Sequence, residues 1–193
     1  IRQLYGDDRL DRFVIDEAHC VSNWGRDFRP DYLSLKSLKM EFPNIPILAL
    51  TATATEKVKN DVIMQLKMNR PMYFQCSFNR RNLIYEVWEG KSKKDKVKDI
   101  INFIRSNYRN KPGIIYCSTT KDCEEYCTQL NNAAISAAPY HAKLPEPIRN
   151  KNQEDWMQDR VQIIIATIAF GMGINKADVR FVIHFNISKS IEN

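Results

Sequence analysis

No two of the five cysteines (Cys20, Cys76, Cys117, Cys123, Cys127) stand at CxxC spacing, and none belongs to a zinc-type set. An odd number so placed argues against a disulfide framework and for a reducing compartment. Cys123 and Cys127 fall four apart on an expected helix and read as small buried hydrophobes. No apolar run approaches the ~18 residues of a membrane span, so no membrane partner is expected. There is no internal repeat and no low-complexity tract. A phosphate-binding loop of the form GxxxxGK[ST] is also missing: the GKS at Gly90–Ser92 would need glycine at position 85, which is Tyr85. The lysines of KSKK that follow read as a solvated interdomain linker.

What is present is an ordinary globular composition. Of 193 residues, 44% are hydrophobic and 27% charged, enough for one or two domains with real cores. Lys and Arg outnumber Asp and Glu by 29 to 23, a formal charge of +6 that suits a polyanionic partner without requiring one. The chain opens on Ile1 and stops at Asn193 soon after a strong strand, which reads as a fragment of something longer.

Short apolar runs alternate with segments of helical period. RFVID (12–16), ILAL (47–50) and MYFQC (72–76) read as strands. Between them, Tyr32, Leu35, Leu38 and Phe42 share one helix face, and Val58, Val62 and Leu66 share another. The second of these helices follows Thr53-x-x-Glu56, a capping-box pattern. The pattern then restarts with NLIYEVW (82–88), a helix aligning Val97, Ile101 and Ile104, GIIYC (113–117), a helix over Cys123, Tyr126 and Leu130, VQIIIAT (161–167) and RFVIHF (180–185). Unbroken apolar strands between helices imply an α/β protein with parallel sheets covered on both faces. The division is expected near Ser77–Arg81, giving domains at 1–80 and 81–193.

The run FVIDEAH ends a buried strand in two carboxylates. That places Asp16 and Glu17 at the carboxyl edge of a parallel sheet, where open α/β folds bind ligands. The first can hold Mg²⁺, often through water, and the second can orient or deprotonate an attacking water. A surface Asp-Glu pair capping a helix is the plainer reading of those two residues alone. In ATIAFGMGIN, Gly171 and Gly173 permit close backbone approach in a loop after a buried strand, although ordinary turns supply the same pair.

DEAH together with HCVSNWGRDFRPDY (19–32) resembles the RecQ family of superfamily 2 DNA helicases. LALTATAT (48–55), FNRRNLIYEV (78–87), GIIYC, YHAKL (140–144) and IIIATIAFGMGINKADVRFVIHF (163–185) follow in family order. The resemblance implies tandem RecA-like domains, the first partial, and an ATP-dependent, 3′-to-5′ DNA helicase using ATP and Mg²⁺. It implies catalytic roles for Asp16, Glu17 and His19, with Asp16 on the metal through water. Trp24, Phe28 and Arg29 would sense single-stranded DNA by stacking and charge. Thr51 and Thr53 would link hydrolysis to the nucleic-acid groove, Thr167 would lie near a DNA phosphate, and Gly173 and Asn175 near the nucleotide. His141 matches a family position, but a lone histidine is more often structural, and Lys143 stands where the family has glycine.

Single-stranded and branched DNA are the partners so implied, with roles in recombination, repair and replication. The site of action would be the nucleus in a eukaryote or the cytoplasm in a bacterium. Two rivals stay open: a non-catalytic helicase paralogue that binds nucleic acid or partners, and a DEAH-type RNA helicase. The 193 residues alone are expected to be inactive in ATP hydrolysis, since nothing in them grips the triphosphate.

Overall fold

Among the described residues, six short parallel strands coincide with, or lie between, the apolar runs. The computed structural model describes residues 1–22, 28–52, 54–77, 79–89, 92–171 and 174–186. They form two units, one running Ile1–Leu83 and the other opening at Ile84.

In the first unit, β1 (Phe13–Ile15) pairs in parallel with β2 (Ile47–Ala49), with Ile15 opposite Ala49. After the short helix α1 (Arg2–Gly6), the segment DYLSLKSLKMEF (31–42), expected as one helix, is in fact a 3₁₀ helix, Pro30–Leu35, continued by α2 (Lys36–Glu41). Its hydroxyls explain the tighter start. Ser34 Oγ donates to the Asp31 carbonyl at 2.6 Å and Ser37 Oγ to the Ser34 carbonyl at 2.8 Å, competing with regular α-helical bonding. Tyr32, Leu35 and Leu38 still turn toward the core of Ile15, Ala18, Val21, Val58, Val62 and Leu66. The helix α3 (Glu56–Gln65) buries Val58 and Val62, with Leu66 just past its end, as their spacing predicts. Its N-cap, however, is Thr55, whose hydroxyl accepts from the Val58 amide at 3.3 Å. The capping box read from Thr53 is displaced by two residues, and Glu56 becomes the first helical residue, where its charge suits the helix dipole.

Two expected strands are not formed. Residues 72–76 and 82–88 run without regular structure, and Phe74 and Val87 are 82% and 92% exposed. Apolar, β-prone residues make a strand only where a neighbour supplies ladder partners. Neither segment pairs with a described strand.

The second unit is a four-stranded parallel sheet in the order β4-β5-β3-β6. Its strands are β3 (Gly113–Tyr116), β4 (Ala137–Tyr140), β5 (Ile163–Ala166) and β6 (Phe181–His184). The period of two sorts β5 between the layers. Ile163 and Ile165 face α4 (Lys93–Asn107) and α5 (Thr120–Asn132), while Ile164 and Ala166 share a cluster with Trp156 of α6 (Glu146–Met157). Cys123 and Cys127 are buried in the first of these layers, as their spacing suggested. The strand β4 escaped sequence reading because Ala-Ala-Pro-Tyr carries no β-branched residue. It lies at the sheet edge, the position that tolerates Pro139.

Ser92 of the GKS triplet caps α4, accepting from the Asp95 amide at 3.2 Å and donating to its carboxylate at 2.6 Å. Lys93 is not simply solvated: its Nζ meets Asp122 Oδ1 at 2.8 Å. That hydrogen bond, with a further one from Thr119, holds the Asp122 carboxyl below the usual carboxylate range.

The helix α5 ends with Ala134 in the left-handed region (φ 56°), where the Ile135 amide closes back on the Leu130 carbonyl at 2.9 Å. Glycine suits this position better because it has no Cβ penalty there. Ala134→Gly is therefore expected to stabilise the protein by about 0.5–1 kcal/mol, after allowing for the freer unfolded chain. A urea midpoint that stays the same or falls would show that the turn carries no such strain.

Candidate nucleotide and nucleic-acid site

The β1–β2 pair ends in a tight connection that carries the two carboxylates. The Leu50 amide donates to the Ile15 carbonyl at 2.9 Å, and the Ala18 amide to the Leu50 carbonyl at 2.8 Å. Between these bonds the chain turns through Glu17 in a left-handed conformation, φ 48° and ψ 43°. A non-glycine residue there costs roughly 1–2 kcal/mol, and such strain concentrates at functional positions. The Glu17 amide donates to Asp16 Oδ1 at 2.8 Å, and both residues are exposed at the sheet edge.

A 3₁₀ turn, Ala18–Val21, follows and is buried throughout. It sets His19 with its side chain 10% exposed, Nδ1 lying 2.9 Å from Thr51 Oγ1 and 3.3 Å from Glu17 Oε2. Two expected site residues 32 positions apart are thus joined, one after each strand. Tyr32, absent from the sequence reading of the site, hydrogen-bonds its hydroxyl to the Asp16 carbonyl at 3.4 Å. Arg29 donates its amide to the Cys20 carbonyl at 2.9 Å, bringing the residues after the aromatic loop back beside the buried turn. Phe28 is half-buried. Trp24 and Thr53 lie outside the described residues.

In the second unit, Thr167 follows β5 and opens a turn closed by the Phe170 amide on its carbonyl at 3.1 Å. Phe170 anchors this turn in the core against Tyr140 and Trp156, and Tyr116 Oη donates to its carbonyl at 2.9 Å. Ile168, at the tip, is 97% exposed. Gly171 has φ 152°, a conformation that side chains rarely adopt. Asn175 is exposed, and Gly173 lies outside the described residues. His141 is buried after β4, its Nε2 3.4 Å from Glu124 Oε1 but with no hydrogen bond to a described residue. Lys143, where the family has glycine, is not among the residues of positive φ, so its backbone does not need glycine.

Among the described residues no three His, Cys, Asp or Glu side chains gather as a metal cage. The exposed Asp16 and Glu17 carboxylates nevertheless fit Mg²⁺, which usually takes one or two protein carboxylates, waters and substrate phosphates.

Residues 92–193 match the helicase conserved C-terminal domain family, and residues 6–61 match the DEAD/DEAH box helicase family. Over all of this chain, identity is 48% to the ATP-dependent helicase SGS1 of Saccharomyces cerevisiae and 48% to the RecQ-like DNA helicase BLM of Xenopus laevis. The chain belongs to the RecQ family of helicases. It spans 13% and 14% of the length of those two relatives. The fold is that of RecA-like helicase domains: Saccharomyces cerevisiae Dbp5 bound to RNA and ADP BeF3 aligns with a TM-score of 0.65 at 17% identity, over 98% of this chain and 49% of that one.

Proposed function

We propose that this RecQ-family chain is part of an ATP-dependent DNA helicase of 3′-to-5′ polarity that acts on single-stranded and branched DNA. Recombination, repair and replication in the nucleus are the setting, in keeping with the eukaryotic relatives it resembles. The observation that carries the reading is the Asp16–Glu17–Ala18–His19 turn at the end of β1, tied through His19 to Thr51 at the end of β2. In this reading the Asp16 carboxylate holds Mg²⁺ through water. When bound, the metal supplies charge neutralisation on the phosphates. Glu17 orients the attacking water and takes its proton. His19 carries a change at this edge to Thr51, so that hydrolysis and the nucleic-acid side move together. Trp24, Phe28 and Arg29 read the presence of a DNA strand, Thr53 links hydrolysis to the nucleic-acid side, Thr167 serves a DNA phosphate, and Gly173 and Asn175 serve the nucleotide.

The test is ATP turnover of the full-length protein with single-stranded DNA or RNA of one sequence. DNA should stimulate and RNA should not; the reverse preference would favour the RNA-helicase rival. Turnover indifferent to both would favour the binding module. Replacing Trp24 or Phe28 by alanine should leave the basal rate and the melting temperature near wild type while stimulation drops sharply. A stacked aromatic contributes roughly 1–3 kcal/mol per base, enough to hold a loop in one of two positions. Basal rate, stimulation and melting temperature collapsing together would make the loop a structural element only.

A further inference from the structure

Between β5 and β6 the chain returns across the sheet without a helix. Residues 167–180 make this crossover, and Phe170, Ile174 and Val179 pack into the layer that α6 covers. Among its described residues is Asn175, which is exposed. The group that fastens its middle is Lys176. Its side chain is only 5% exposed, and Nζ lies 2.7 Å from Asp159 Oδ1, 3.0 Å from Asp178 Oδ1 and 3.4 Å from the Met157 carbonyl. The ammonium also stands 5.5 Å from the Trp156 ring centroid, within cation–π range.

Three of these four partners belong to the C-terminal end of α6 and the turn just after it, where the helix dipole favours a cation. Asp159 itself has φ 59°, a left-handed conformation, and the ion pair ties that turn to the crossover. Burial alone would lower the Lys176 pKa. The hydrogen bonds and the negative charges of Asp159 and Asp178 together outweigh burial and raise it above the ordinary value, so the charge is kept. Asp178 is correspondingly held below the usual carboxylate range by its hydrogen bond with Lys176.

We infer that Lys176 is a positioning residue for nucleotide binding: clamped between Asp159 and Asp178 against the end of α6, it fixes the place of Asn175 one residue away without touching the nucleotide. The inference rests on the reading above that Asn175 serves the nucleotide.

Steady-state ATP hydrolysis by the full-length protein at saturating single-stranded DNA tests it, with Lys176→Met, Lys176→Arg and Asn175→Ala measured together. Lys176→Met keeps the stem but leaves two carboxylates facing each other without a cation. KM for ATP should rise about tenfold while kcat changes little, the scale on which one hydrogen bond to a ligand is lost. Lys176→Arg, which can bridge both carboxylates, should recover most of that loss. An unchanged KM in Lys176→Met overturns the proposal. So does a parallel fall of kcat, ATP affinity and melting temperature that arginine fails to rescue, since that is the mark of a fold-supporting residue. If Asn175→Ala leaves KM unchanged, the assignment of Asn175 fails, and with it the route by which the lysine acts. If Asn175→Ala raises KM and Lys176→Met does not, only the clamp is wrong.

Discussion

Glu17→Gln in the full-length protein is expected to lower DNA-stimulated ATP turnover by about 10²–10⁴-fold, the usual contribution of a positioned general base, while ATP still binds. The substitution isolates chemistry from shape. Glutamine has the same stem and the same number of heavy atoms, so it meets the left-handed backbone at this position at the same cost as glutamate. It can still reach His19 Nδ1, now 3.3 Å from Glu17 Oε2, and it leaves the His19–Thr51 contact in place. What it cannot do is take a proton from water. Turnover at saturating ATP and DNA, beside an equilibrium titration of nucleotide, separates the outcomes. Near-normal turnover would remove Glu17 from the chemistry. Loss of nucleotide binding would instead mean that the residue holds the turn between Ile15 and Ala18, a structural role.

That turn shows which parts of a site can be read from a linear sequence. Asp16 and Glu17 were legible because an apolar run stops abruptly at charge, and a run of that kind must end at a sheet edge. The strain at Glu17 was not, since nothing local in Asp-Glu-Ala demands a left-handed residue; the bonds to Leu50, 32 positions beyond Ala18, impose it. The His19–Thr51 bond joins two residues that sequence could nominate but not connect. Lys176 was invisible for a related reason. In Asn-Lys-Ala-Asp it reads as one charge in a solvated loop, and its burial depends on Trp156 and Asp159, which α6 and its last turn bring alongside.

The fold follows the same division. The strand β5 was plain because all four of its residues are buried, each face against a different helical layer. The segments 72–76 and 82–88 are also rich in apolar and aromatic residues and form no strand, because pairing is a property of neighbours. At Thr53 the capping pattern was present, but the chain between β2 and α3 runs two residues further before turning into the helix, so Thr55 takes the cap. The capping-box pattern singled out Thr53, because Thr55 has Val58 rather than an acidic residue three positions on; the length of the connection overrode it.

Gly113 carries the largest expected effect on stability, and nothing in its sequence context marks it. It opens β3, the strand hydrogen-bonded to both β5 and β6, opposite Ile163 on one side and Phe181 on the other. A Cβ at this position would lie 2.2 Å from the Phe181 ring, a distance that carbon atoms do not tolerate. The ring has little room to retreat. It is buried, with Tyr108 at 5.0 Å and Phe103 at 6.3 Å between ring centroids, and Phe103 in turn meets Trp88 at 4.7 Å. The backbone is held as well, by the Gly113 amide on the Gln162 carbonyl at 3.1 Å and the Arg180 amide on the Pro112 carbonyl at 2.9 Å. Gly113→Ala is therefore expected to destabilise the second unit by about 3 kcal/mol, the upper end of overpacking costs. Chemical denaturation should show the loss as a lower midpoint with an unchanged slope. Pairing the change with Phe181→Leu separates clash from other causes, because leucine removes the ring atoms that the new methyl would strike. The double variant should be more stable than the sum of the two single losses by at least 1 kcal/mol, a coupling of the size that residues in direct contact show. Strict additivity would mean that the ring moves aside and that Gly113 is needed for something other than the space beneath it.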